Sequence, residues 1–262
     1  MAGGGCCGPL GVHSHILPFG TFSLPAFGFF FLPCSLLVAR AAGERTAAER
    51  ASFARALEKM GSWYAHELTT TVSMSVAPAG SSATPYGERG WTTFERQVSQ
   101  LVKGAVLNSW RRLADASVVR TVGPCGGAYI EPPMHPRAFA AALARKTFTN
   151  GRSDCELVAG LYYDTLAGSL GHVEKLVYMK CGWGDEEVAR LAEVLEWARE
   201  ARALDLCGNP RIGRRGYAAL AAALRDARAA PKLQVIYVDY PDGPSATELR
   251  AACEAREIVV RK

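Results

Sequence analysis

The sequence predicts an α/β protein in which short strands alternate with helices, and three observations carry that expectation. Leu204 and Leu206 flank Asp205, an apolar residue at every second position, which is the period of a half-buried strand. A Gly-containing loop then leads into an Ala/Leu helix that ends at Leu224. The pattern recurs. Val173, Leu176 and Tyr178 match Ala201, Leu204 and Leu206, while Val188, Leu191 and Leu195 match Tyr217, Leu220 and Leu224. The spacing is 28 residues from Leu176 to Leu204 and 29 from Gly184 to Gly213.

Residues 1–39 carry no Asp, Glu, Lys or Arg. Residues 16–39 are mostly apolar, and Ala39-Arg40-Ala41 has the small-x-small form of a signal-peptidase site. That stretch is a candidate signal or membrane anchor, although it lacks a basic leader. Pro18, Pro25 and Pro33 interrupt it, and with no sustained helix or strand period it is expected to pack poorly. Residues 1–44 are therefore set apart as an atypical N-terminal segment, either a signal or anchor or a misassigned start. The remaining chain is expected in the cytoplasm, with the secretory pathway or a membrane as the alternative through residues 1–41.

Residues 45–171 read as a small α/β domain. Thr46 and Glu49 fit a capping box, Phe53, Leu57 and Met60 line one helix face, and Gly61 stops that helix. A Thr/Val-rich strand covers 68–76. A second helix covers 91–102, with Trp91, Phe94, Val98 and Leu101 at helical spacing. Residues 107–113 continue the helical material, and 118–122 form a short strand. A helix opens at Pro136, and Asn150-Gly151 supplies a left-handed turn. Ser153 or Asp154 caps the next helix, which reaches about Leu166 before Gly168 and Gly171. Residues 172–262 form the repeat block. Its third strand, 233–238, keeps the inward spacing without an Asn turn, and a helix at 247–255 and a strand at 258–260 close it as a terminal cap. So few units cannot bury their apolar faces alone, so the block must lean on the preceding helices.

Hydrophobic residues make up 49% and charged residues 21%, a globular composition. Thirty basic and 25 acidic side chains give a net charge of +5, too mild to imply nucleic acid. The eight cysteines include no C-x-x-C, which argues against zinc, and they read as reduced thiols. Neither a phosphate loop nor a nucleophile triad is present. No cofactor and no metal are expected. Arg211, Arg214, Arg215, Arg225 and Arg228 could form a phosphate-binding patch, but Asp185 of the first unit aligns with Arg214 of the second and Glu186 with Arg215, so an ion-pair ladder is expected.

The run Leu204-Asp205-Leu206-Cys207-Gly208-Asn209, followed by Ile212-Gly213, resembles the L-x-L-x-x-N unit of leucine-rich repeats of the ribonuclease-inhibitor-like subclass. In that reading Leu204 and Leu206 are buried and Asn209 satisfies backbone groups where the strand turns. The inner curve then carries Lys175, Val177, Met179, Asp205, Cys207, Val235, Tyr237 and Asp239, a mixed surface suited to another protein. The resemblance implies a protein–protein interaction module without catalysis.

Arg89-Gly90-Trp91-Thr92-Thr93-Phe94-Glu95 resembles the W-x-x-x-E helix of toll/interleukin-receptor (TIR) domains, and the order helix, strand, loop, helix is similar. The first strand of that fold has no counterpart here. The resemblance implies an alternative in which Glu95, beside Trp91, is the catalytic carboxylate of an NAD-processing enzyme, stabilising a cation at the sugar carbon. The bland alternative places Trp91 and Phe94 in the core and Glu95 on the helix surface beside Arg96. Trp63-Tyr64-Ala65-His66, Tyr86 with Arg89-Gly90-Trp91-Thr92-Thr93-Phe94-Glu95, and Phe148-Thr149-Asn150-Gly151 also resemble a largely uncharacterised family of unicellular algae, in which a strand precedes the first helix and leucine-rich repeats often follow this segment. That resemblance implies no activity.

Overall fold

The structure is a computed structural model that describes residues 21–25, 46–66, 69–74, 82, 84–101, 119–122, 130–241 and 243–262. It is a mixed α/β fold with two small sheets. Helix α1 spans Ala47–Ala65. Its capping box is present: Glu49 N donates to Thr46 Oγ1 at 3.2 Å, and Thr46 N donates to Glu49 Oε2 at 2.9 Å. The helix does not stop at Gly61. That glycine is a contact point, where a Cβ would fall 1.9 Å from Thr165 Oγ1 of a neighbouring helix. Close approach of two helices, and not chain termination, is what the missing side chain allows.

Helix α2 spans Gly90–Val98, shorter than its apolar pattern suggested, and α3 spans Pro136–Leu143. Helix α4 runs Arg152–His172, a full turn and more beyond Leu166. Gly151 precedes it at φ +63 and ψ −130, a positive φ but outside the left-handed helical well expected of the Asn-Gly pair. Neither Ser153 nor Asp154 is the cap. Ser153 Oγ donates back to Asn150 O at 3.1 Å, and Asp154 sits inside the first turn. Gly168 and Gly171 fail to end α4 because Val158, Tyr162, Leu166 and Leu170 form a buried stripe along it. Packing of that stripe outweighs the propensity penalty of about 1 kcal/mol per glycine.

The first sheet holds β1 (Thr21–Pro25), β2 (Thr69–Met74) and β3 (Val119–Val122) in that order. β1 runs antiparallel to β2, pairing Thr21 with Ser73 and Pro25 with Thr69, while β2 and β3 are parallel. Thr21–Pro25, inside the segment expected to pack poorly, is thus paired with β2. Thr21-Phe22-Ser23-Leu24 does alternate, but over too few residues to stand out inside an apolar run. Pro25, which lacks a ladder donor, sits at the strand end as the chemistry requires. The signal-like stretch is otherwise outside the described residues, as is the helix expected at 107–113. No helix of the described residues is long and apolar enough to cross a membrane.

The second sheet is all parallel, in the order β4 (Lys175–Val177), β5 (Ala203–Asp205), β6 (Val235–Tyr237) and β7 (Val259–Arg261). Helices α5 (Asp185–Ala192), α6 (Arg214–Leu224) and α7 (Thr247–Glu254) connect successive strands. Leu176 pairs with Leu204 and Leu204 with Ile236, the register that the sequence spacing implied. One core runs from Met60 of α1 to Ile258. The junction is explicit. Trp183 Nε1 donates to Ile130 O at 2.7 Å, Tyr178 Oη donates to Leu101 O at 3.3 Å, and the two rings stack at 4.4 Å. The strand–helix units therefore lean on the preceding helices.

Candidate functional site

In the parallel sheet, alternate side chains face opposite ways. Leu176, Leu204, Ile236 and, next along, Tyr178, Leu206 and Val238 are all buried. The polar turn beyond β5 is built by Asn209. Its Nδ2 donates to Tyr178 O and Leu206 O, each at 2.8 Å, and Trp183 N donates to its Oδ1 at 3.0 Å. One buried amide thus satisfies backbone groups of two adjacent units. Asp239 of the third unit reaches back to the second, its carboxylate accepting from Gly208 N at 2.7 Å and Asn209 N at 3.0 Å.

The expected charge ladder takes another form. Asp185 is no partner of Arg214; its Oδ1 accepts from Gly213 N at 2.6 Å and Gly216 N at 2.9 Å. A carboxylate at the first turn of α6 satisfies orphan amides and faces the positive end of the helix dipole. Arg214 instead reaches Glu248 of α7 at 3.5 Å, an exposed pair worth little. The unit stack is held by carboxylate-to-amide bonds more than by ion pairs.

The outer sheet face carries Lys175, Ala203, Val235 and Val259 in one row and Val177, Asp205, Tyr237 and Arg261 in the next. Met179, Cys207 and Asp239 follow beyond the strand ends. Lys175 and Arg261 are exposed, and Val259 is 47% exposed. Met179, Asp205, Cys207, Val235, Tyr237 and Asp239 are half-buried. Val177 differs from its predicted place on an open face. It is only 5% exposed and presents no area to a partner. Burial, and then the charge of Asp205, pushes the Cys207 thiol up to about 11, so it stays protonated. Asp205 Oδ1 also accepts from Cys207 N at 2.9 Å. Asp205→Ala should therefore cost about 0.5–1.5 kcal/mol, the usual worth of one intramolecular hydrogen bond. A urea melt measures this, and a larger loss would place Asp205 in the core and overturn the register.

The sequence missed the margins of this face. Lys180 and Lys262 are exposed, and Tyr240 is 64% exposed. Lys180 adopts φ +56, the left-handed conformation that Gly208 adopts at φ +73 at the equivalent place one unit on. Only the 28-residue alignment of Lys180 with Gly208 could have flagged it.

The Trp91/Glu95 pair occupies a different setting. Trp91 Nε1 donates to Asp154 Oδ2 at 3.2 Å, and its ring stands edge-on to Phe94 at 6.4 Å. Glu95 is 5% exposed, so it is no surface charge, and Arg96 pairs with Glu131 at 2.5 Å instead. Gln97 Nε2 also donates to Glu131, and Gln100 Oε1 accepts from Glu131 N, each at 2.5 Å. These contacts pin the 130–135 segment that Trp183 grips. His135 Nδ1 accepts from Arg137 N at 3.1 Å as the cap of α3. Among the described residues no group of His, Cys, Asp and Glu is placed to hold a metal ion.

No family model matches the chain, and neither a curated protein nor a solved structure matches it. The functional reading therefore rests on the geometry above.

Proposed function

We propose that the chain is a protein–protein interaction module of leucine-rich-repeat type, without catalysis, in which the outer face of the parallel sheet docks another protein. The observation that carries this is the half-exposed mixture of Val235, Tyr237, Asp205 and Asp239 on one rigid face. Rigid presentation reduces the ordering cost of binding, and aromatic residues amid polar ones suit a protein partner. The cations on and after α6 do not favour nucleic acid, because Arg214 pairs with Glu248 and, beyond the helix, the Arg228 guanidinium holds Asp226 at 2.7 Å. The cytoplasm suits a chain whose Cys155, Cys181, Cys207 and Cys253 are free thiols.

The competing reading, a TIR-like NAD-processing domain acting through Glu95, draws less support. A catalytic carboxylate must reach its substrate, whereas Glu95 is buried on the helix that docks on α4 through Trp91 and Asp154.

A photo-crosslinking residue placed at Tyr237 should give discrete adducts in a cell extract, and one placed at Arg225 should not. Equal labelling from both positions would count against the sheet face. Release of nicotinamide from NAD by the purified chain, abolished in a folded Glu95→Ala variant, would overturn the non-enzymatic reading.

A further inference from the structure

The face proposed for docking has a charge order. Lys175 and Lys180 lie at its β4 margin, and Arg261 and Lys262 at its β7 margin. All four are exposed, and none makes an ion pair among the described residues. Between them Val235 and Tyr237 offer apolar area, while Asp205 and Asp239 have carboxylates turned to backbone amides.

Lys180 adds a second, independent observation. A left-handed residue with a Cβ is held against its preference for the right-handed form. The equivalent position one unit on is Gly208, which bears no such penalty. The stem of Lys180 lies over that glycine, where a Cβ would come 2.5 Å from Lys180 Cγ. Ala230 and Glu257 also take a positive φ, so the conformation alone assigns no task; what sets Lys180 apart is the exposed ammonium group it holds at the margin of the face.

We infer that the partner presents an extended acidic segment whose carboxylates pair with the Lys175/Lys180 and Arg261/Lys262 margins, with apolar residues lying over Val235 and Tyr237. The inference rests on the sheet face being the docking site. Three inter-strand gaps of about 4.8 Å separate the margins by about 14 Å, a distance that an extended segment spans in about five residues. A continuous phosphate backbone fits less well, because it would cross Asp205 and Asp239 in the middle.

The test uses the full chain and a fluorescent synthetic peptide with an acidic pair at each end of about five apolar residues. Its lysine-substituted counterpart and a uridine oligomer are the control probes, all at one salt concentration. The acidic peptide should bind best, and added salt should weaken it. Lys180→Gly should weaken binding about fivefold. Its thermal midpoint should not fall, since relief of the left-handed backbone offsets the added freedom of glycine in the unfolded chain. Arg261→Glu should weaken binding further. Binding lost in Tyr237→Ala but unchanged in Lys180→Gly and Arg261→Glu would overturn the acidic assignment and leave the docking face standing. Binding indifferent to all three variants would overturn both. Absence of peptide binding, or tighter binding of the lysine peptide or the uridine oligomer, overturns the acidic segment.

Discussion

Asn209→Ala should destabilise the chain by about 3–5 kcal/mol, far more than the three atoms removed would suggest. The side chain is 2% exposed and bonds two carbonyls and one amide. Each buried group left without a partner costs about 1–3 kcal/mol. Truncation orphans Tyr178 O, Leu206 O and Trp183 N together, and a water entering the gap restores part of the loss. Asn209→Asp separates the contributions. It keeps an acceptor for Trp183 N but turns an oxygen toward two carbonyls, so it should be no more stable than the alanine variant near neutral pH. Equilibrium urea melts of the three proteins check this. A loss below about 1 kcal/mol for Asn209→Ala would mean that the turn does not depend on the amide.

Trp183→Ala should also cost about 3–5 kcal/mol, the range for truncating a buried large aromatic. Here the loss falls on a joint. Trp183 is fully buried, stacks on Tyr178 and donates to Ile130 O. It ties the strand–helix units to the helices before them. Trp183→Phe keeps most of the buried area and leaves Ile130 O without its donor, so it should cost about 1–3 kcal/mol. Calorimetry of Trp183→Ala should show the single transition broaden or split, because the two halves of the core lose their shared contact. A sharp single transition at an unchanged midpoint would refute the joint.

What the sequence made legible follows from period and from local chemistry. The register of β4 to β6 was readable because each unit repeats the same inward spacing, and the Thr46–Glu49 box because both partners lie three residues apart. What it hid depends on tertiary context. Gly61 looks like a stop and is a packing contact with Thr165. Asp185 looks like one rung of a charge ladder and is the anion at the start of α6. No local signal distinguishes these, since the amides that Asp185 satisfies lie 28 and 31 positions away. The candidate face was legible in its residues but not in its exposure. Alternation assigns Val177 to that side of the sheet, and it cannot report that the residue is covered. Lys180 was missed because a single Lys at a loop position carries no pattern until the backbone shows it in a glycine's conformation.

The bonds at the turns also bear on how such an array can change over generations. Asn209 of the second unit completes the first through Tyr178 O, and Asp239 of the third completes the second through Gly208 N and Asn209 N. Arg256, beyond α7, donates to Leu224 O at 3.2 Å and to Ala229 O at 2.8 Å and Ala230 O at 3.0 Å of the preceding unit. Every unit therefore holds part of its neighbour's valence. Excising the second unit would bring together a first unit that needs an asparagine and a third whose aspartate has lost its amides. Lengthening or shortening by whole units is then not a neutral step, even though the strand spacing would permit it. Change in this array is channelled toward open-face positions such as Val235 and Tyr237, which are half-exposed and hold no neighbouring turn, and away from Asp239, which does.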